Sequence, residues 1–409
     1  MARRKGERKI LRGCRTVSQL LLILPLLQTP IPLLHCNSKM SFTDTERASC
    51  GISTSVKKPC SLSHEPPFSY RCLASLKTLT PHITCLAVHR NLLYAASLNV
   101  INVFHVSHYT HTDAFNENPA SGFVKSIAFC DSKIFTAHQD CKIRVWSISP
   151  SKRHRLLCTL PTVKDQLRRF MLPKNYVSVR RHKRRLWIQH CDTVSGLAVN
   201  EGLMYSVSWD RSLKIWDVSD YRCMESMKAH EDAINAVAVS GNGTVYTASA
   251  DGSIRVWERD EKVKRYRLVN SLEKKKSTVN ALALNGDGTV LFAGGCDSKI
   301  SVWERKQETN DVVLLETLRG HSGAILCLIN VEGSWIASGS ADQTVRIWGK
   351  ERGGGYGCKA VLEGHEKPVK SVVAFSGGED AGNGVVTVCS GSLDGDIRVW
   401  ELLGLNTLP

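Results

Sequence analysis

Asp251-Gly252-Ser253-Ile254-Arg255-Val256-Trp257 ends one copy of a pattern that returns along most of the chain. The tryptophan recurs as Trp146, Trp216, Trp257, Trp303, Trp348 and Trp400, and an Asp stands six residues before each: Asp140, Asp210, Asp251, Asp297, Asp342 and Asp394. Spacings of 70, 41, 46, 45 and 52 residues mark a unit of about 40 to 45 residues, with the first gap enlarged by an insertion. Phe104 extends the register 42 residues upstream, with Leu98 in the Asp position, and brings the count to seven units. Ahead of the quoted stretch, Ile234-Asn235-Ala236-Val237-Ala238-Val239 and Val245-Tyr246-Thr247-Ala248-Ser249 flank the turn Gly241-Asn242-Gly243, which predicts short antiparallel strands. Four such strands make a twisted sheet that cannot stand alone. Repeating the sheets radially closes a ring and hides nearly every strand edge.

This pattern resembles the WD-repeat β-propeller family over residues 68–400, although a literal Trp-Asp pair occurs only at Trp216-Asp217 and Glu follows Trp257, Trp303 and Trp400. The expected fold is all-β, a seven-bladed WD40 propeller. Nine residues follow Trp400, too few to turn and build a last outer strand. Tyr70-Arg71-Cys72-Leu73-Ala74-Ser75-Leu76-Lys77 nearly repeats Tyr221-Arg222-Cys223-Met224-Glu225-Ser226-Met227-Lys228, so residues 70–76 are predicted to close blade seven. The organisation that follows is a flexible extension over 1–67, a propeller over 68–403 and a tail over 404–409.

Composition agrees with a large folded core: 42% of the 409 residues are hydrophobic and 22% charged. The net charge of +16 is localised, because residues 1–15 carry +6 and residues 151–190 carry +11, leaving −1 for the rest. These are two basic segments joined to a neutral fold. Fifteen cysteines with no Cys-x-x-Cys spacing suggest a reduced, intracellular chain with neither a disulfide framework nor a zinc site. The first forty residues are basic to Arg15 and then apolar from Leu20 to Leu34, interrupted by Pro25, Gln28, Pro30 and Pro32. They resemble a signal or transit segment but would span a membrane poorly. A targeting role, a dispensable extension and an alternative start at Met40 all stay open, and residues 41–67 read as a Ser/Thr/Pro-rich linker.

Four units carry a set that would suit a hydrolase: His190, Ser208, Asp210 and Trp216; His230, Ser249, Asp251 and Trp257; His321, Ser340, Asp342 and Trp348; His365, Ser392, Asp394 and Trp400. A nucleophilic triad is a single constellation in a cleft, not a set repeated round a ring. In the family the sequence resembles, these groups hydrogen-bond in series as a structural tetrad. Blade five has Lys275 and Gly295 in the His and Ser positions, and blade two has Ala120 and His138, so the pair is expected to be lost together there. No phosphate-binding loop or His-Glu-x-x-His motif is present. Catalytic residues, cofactors and metals are accordingly expected to be none.

The insertion over 161–189 is the feature a propeller does not require. Apolar residues at 163, 167, 170 and 171 predict a short amphipathic helix between Pro161 and Pro173. Val179-Arg180-Arg181-His182-Lys183-Arg184-Arg185-Leu186-Trp187 then places five cations within six residues. On entry into blade three the segment is expected to share the face of the Asp turns and to meet Trp209, which stands where Ala250 and Ala341 stand in sister blades. Lys274-Lys275-Lys276 is placed on the same face. Candidate partner-binding residues are therefore Arg180, Arg181, Lys183, Arg184, Arg185, Trp187 and Trp209. The insertion resembles that of the JINGUBANG-like plant WD-repeat proteins, which implies a non-enzymatic regulatory protein of a plant cell.

The basic run suits an acidic protein, nucleic-acid phosphates, anionic lipid or an import receptor, and a solvated loop is the plain alternative. The expectation adopted is a monomeric scaffold for protein partners, cytoplasmic with nuclear entry open. The alternatives are nucleic-acid or anionic-lipid binding, and substrate adaptor of a ubiquitin ligase. Against the last, Trp216-Asp217 is followed by Val218-Ser219 and lacks the Arg of the Trp-Asp-x-Arg form that the adaptors carry.

Overall fold

In a computed structural model, residues 68–405 are described apart from 79, 149–152, 181–182, 261, 273–275, 307–310, 352 and 377–384. The expectations for residues 1–67, including Met40, and for Lys274 and Lys275 lie outside the described residues. Seven four-stranded antiparallel sheets account for the repeat, over 83–115, 124–160, 194–228, 234–272, 279–318, 325–362 and 369–403, the last completed by an N-terminal strand. Inner strands pack against both neighbouring inner strands, and blade one meets blade seven, so the ring is closed.

Each blade is covered on both faces by its neighbours, which is why its middle strands read as continuous apolar runs. Val245–Ser249 is buried at all five positions. Seven hydrophobic clusters result, one between each pair of adjacent blades. The repeat tryptophan of a blade packs toward the blade before it: Trp216 joins the cluster with Phe135 and Val145 of blade two, and Trp400 that with Trp335 and Ile347 of blade six. Phe104 fills the same place between blades seven and one, as its register suggested.

The seam closes as expected. Ser69–Lys77 pairs antiparallel with Asp396–Leu403, from Ser69 opposite Leu403 to Lys77 opposite Asp396. Arg71 Nε lies 2.6 Å from Glu401 Oε2 across it. Phe68 stacks on Trp335 with ring centroids 5.2 Å apart. Leu405, in the expected tail, is buried, and its carbonyl accepts from Trp335 Nε1 at 2.9 Å. The outer strand of blade two runs His154–Leu160, and one α-helix, Val163–Phe170, forms among the described residues where the apolar spacing placed it.

Candidate protein-interaction site

The tetrads form, with one correction to their membership. His190 Nδ1 lies 3.1 Å from Asp210, and its Nε2 lies 2.8 Å from the hydroxyl of Ser206, which also accepts from Trp216 Nε1 at 2.8 Å. The bridging hydroxyl is thus two residues ahead of Ser208. In the sister blades it belongs to Thr247, Ser338 and Ser390, not to Ser249, Ser340 and Ser392. Ser208, Ser249, Ser340 and Ser392 each accept the amide of the Asp two residues on and donate to a carbonyl of the loop before the blade. They hold the turn, while the hydroxyl two residues earlier on the same strand joins His to Trp.

A carboxylate only accepts, so Asp251 fixes the proton of His230 on Nδ1 and leaves Nε2 to accept from Thr247. The Thr247 oxygen is then free to accept from Trp257, and every group has one role. The same logic covers His321 with Asp342 and His365 with Asp394, at 2.7 Å and 3.1 Å. Burial lowers the pKa of His190, His321 and His365 and keeps the rings neutral. Burial would raise Asp342, but hydrogen bonds from Thr344 and His321 hold it at about 2. With both imidazole nitrogens and the hydroxyl engaged, these sets have no group aimed at solvent.

Blade two departs from the expectation that Ser and His are lost together. His138, in the Ser208 position, turns its own ring onto Thr136 at 2.7 Å, and Thr136 accepts from Trp146 Nε1 at 2.9 Å. The imidazole enters from the strand instead of the preceding loop, and burial drives its pKa down to about 3. In blade five the loss is real: Ala293 and Gly295 supply no hydroxyl, and Trp303 Nε1 is buried without a partner. Among the described residues no His, Cys, Asp or Glu cluster suits a metal, and the eleven described cysteines are free.

The insertion is where polar and apolar groups are placed against ordinary rules. Thr162 caps the helix by accepting from the Asp165 amide at 3.2 Å. Asp165, 1% exposed, accepts the Cys223 amide at 3.2 Å and Arg169 Nε at 2.9 Å. Arg169 donates in turn to the Cys223 carbonyl at 3.2 Å. Cys223 begins the outer strand of blade three, Cys223–Lys228, so an Asp–Arg pair covers an open sheet edge. The helix therefore docks through its polar side. Its apolar side faces outward, with Val163 71%, Leu167 58%, Phe170 47% and Met171 71% exposed.

After the helix, Tyr176–Arg180 and Lys183–Leu186 pair as a hairpin. The Tyr176 hydroxyl donates to the Phe170 carbonyl at 3.0 Å and holds hairpin to helix. Between them lies a groove of about 360 Å³, its walls formed by Val163, Leu167, Phe170 and Tyr176, its edge by Arg184 and Arg185.

This arrangement redistributes the seven candidate residues. Arg184 is exposed at the groove. Arg185 is half-buried and donates to the His190 carbonyl at 3.1 Å, an anchor for the chain entering blade three. Trp187 is also structural: Arg169 stacks on its ring 4.5 Å from the centroid, and its carbonyl accepts from Lys214. Arg181 and the side chains of Arg180 and Lys183 lie outside the described residues. Of the insertion, the helix is held by Asp165 and Arg169 to the outer strand of blade three, and the expected meeting of the hairpin tip with Trp209 lies outside the described residues. Trp209 sits beside Lys125 of blade two, whose ammonium is 5.4 Å from its ring centroid, and burial lowers that lysine to about 8. The groove's apolar wall was signalled by the spacing at 163, 167 and 170; its outward direction was not.

Comparison with known proteins gives the same repeat. The family described as "WD domain, G-beta repeat" matches over residues 182–217, 221–258, 266–304, 312–349 and 356–401, which fall in blades three to seven. The chain is similar to the DENN domain and WD repeat-containing protein SCD1 of Arabidopsis thaliana, 30% identical over 52% of this chain and 16% of that protein. It is similar also to an uncharacterised WD repeat-containing protein of Schizosaccharomyces pombe, 26% identical over 48% and 51% of the two chains. The small ribosomal subunit protein RACK1y of Oryza sativa subsp. japonica is 26% identical over 37% of this chain and 45% of its own. The matched part thus spans about half or less of each relative.

Proposed function

We propose that this chain, which belongs to the WD-repeat family of β-propellers, is a non-enzymatic scaffold that holds protein partners on its rim at blade three. The observation that carries the reading is the helix Val163–Phe170, docked through Asp165 and Arg169 with its apolar residues turned to solvent. An amphipathic helix normally buries its apolar stripe, and an exposed apolar surface with a polar border marks a contact for another molecule. Members of the family are generally non-enzymatic. In this chain the His, Asp and hydroxyl groups that suggest hydrolysis are bound to one another in the blades, which supports the same reading. The finer assignment, a regulatory protein like the JINGUBANG-like plant proteins, rests on the sequence of the insertion, and the plant relatives are compatible with it.

Affinity capture from nuclease-treated plant lysate tests the role. A reproducible protein set retained by the whole chain is expected. Recovery of nucleic acid alone before nuclease, with no protein after it, would refute the scaffold in favour of a phosphate-binding role.

A further inference from the structure

We propose that the groove between the helix and the hairpin takes an acidic amphipathic segment of a protein partner, an inference that rests on the scaffold role and names the partner's chemistry. Two properties of the surface specify it. Its wall is apolar and concave, built from Val163, Leu167, Phe170 and Tyr176. Its border is cationic: Arg184 and Arg185 line it, and Lys164 and Lys174 of the same insertion are exposed. The insertion 161–189 contains a single carboxylate, Asp165, and that one is buried against Arg169 and the Cys223 amide. No acidic group of the insertion is therefore left to neutralise the cations locally. On the other side of the helix a second recess of about 320 Å³ is lined by Arg168, Arg169 and Arg222; Arg169 is paired with Asp165 and Arg222 with Asp220, so the positive charge left on that side is that of Arg168.

A partner complementary to this surface carries Leu, Ile or Phe on one side and Asp or Glu on the margins. Eight residues of helix span about 12 Å, which fits two to three turns of such a segment. The +6 charge of the chain's own residues 1–15 has the same sign as this border and does not complement it. An anionic bilayer would suit a convex apolar ridge lying flat on it. Here Phe170 and Leu167 instead look into a recess whose far wall is the hairpin, and a protruding side chain fills such a recess better than a flat interface does.

The test is a phage-displayed library of random 16-residue peptides panned against the whole chain, with the enriched peptide then measured by fluorescence anisotropy. The expected peptides combine Asp or Glu with Leu, Ile or Phe at helical spacing. Leu167→Asp is expected to weaken the enriched peptide about tenfold or more, and Arg184→Glu about fivefold or more, with affinity falling as salt rises. Both side chains are exposed, so the two variants check each other independently of folding. Vesicles of phosphatidylcholine with phosphatidylserine serve as the second probe and are expected to bind more weakly than the peptide. No enrichment, enriched peptides without an acidic excess, insensitivity to both substitutions, or tighter vesicle binding with the same sensitivity would each overturn the inference. If the lysate capture retains proteins that the two substitutions leave unchanged, the groove falls while the scaffold stands. If the wild-type chain captures no protein, the scaffold itself falls.

Discussion

Replacing Thr247 by Val removes the one hydroxyl that links His230 to Trp257 while keeping the shape of the side chain. The Thr247 hydroxyl meets His230 Nε2 at 2.8 Å and Trp257 Nε1 at 3.0 Å, and both Thr247 and His230 are fully buried. The substitution leaves two buried polar atoms with no partner. Each such orphan costs about 1–3 kcal/mol, so the expected loss is about 2–6 kcal/mol, with some relaxation of the imidazole favouring the lower half. The assay is equilibrium urea unfolding followed by tryptophan fluorescence and circular dichroism together, with Thr247→Ser and Ser249→Ala in parallel. Thr247→Ser keeps the hydroxyl and is expected to lose about 1 kcal/mol for the missing methyl. Ser249→Ala removes a turn contact and is expected to lose about 1 kcal/mol. A Thr247→Val loss no larger than that of Thr247→Ser, or smaller than that of Ser249→Ala, would refute the relay as drawn.

Blade five offers the reverse experiment: Ala293→Ser supplies a hydroxyl near the orphaned Trp303 Nε1 and is expected to raise stability by about 1 kcal/mol in the same assay, whereas a loss means that the site has no room for it. A chain starting at residue 80 lacks Ser69–Lys77 and bares the Asp396–Leu403 edge, so it is expected to aggregate in light scattering; a monomeric, cooperatively unfolding product would contradict the seam. Acid should weaken the fold. His138 titrates near 3 in the native chain and near 6.5 when unfolded, so between those values the unfolded chain binds a proton that the folded chain does not, and the stability present above about 6.5 is lost as pH falls. Asp342, held at about 2, adds a loss below its ordinary value of about 4. Urea midpoints that decline from pH 7 to pH 5 are expected, and midpoints unchanged over that range would contradict burial of neutral imidazoles.

The ring was legible because Asp and Trp recur six residues apart, and closure was legible because residues 70–77 copy an outer strand. The offset of the bridging hydroxyl was not. Residues two apart on a strand point to the same face, so Ser206 and Ser208 are equivalent in any one-dimensional pattern. Ser206 is selected by the cross-strand register, in which Trp216 stands opposite Met204 and its indole reaches the diagonal neighbour. The same equivalence lets His138 replace a loop histidine in blade two, a substitution visible only once Thr136 is known to lie beside it. For the insertion, apolar periodicity predicted the helix but not which side faces the propeller. That choice is made by the open edge at Cys223, whose amide and carbonyl are satisfied by Asp165 and Arg169, and a sequence pattern does not contain the position of that edge.

The central claim is that partners bind at the rim groove, and hydrogen–deuterium exchange of the whole chain with and without a captured protein partner addresses it most directly. Protection on binding is predicted to concentrate in residues 163–186, with little change in the turn that carries Trp209. Protection confined to the Trp209 turn and the loops beside Lys125, with residues 163–186 exchanging as in the free chain, would contradict it.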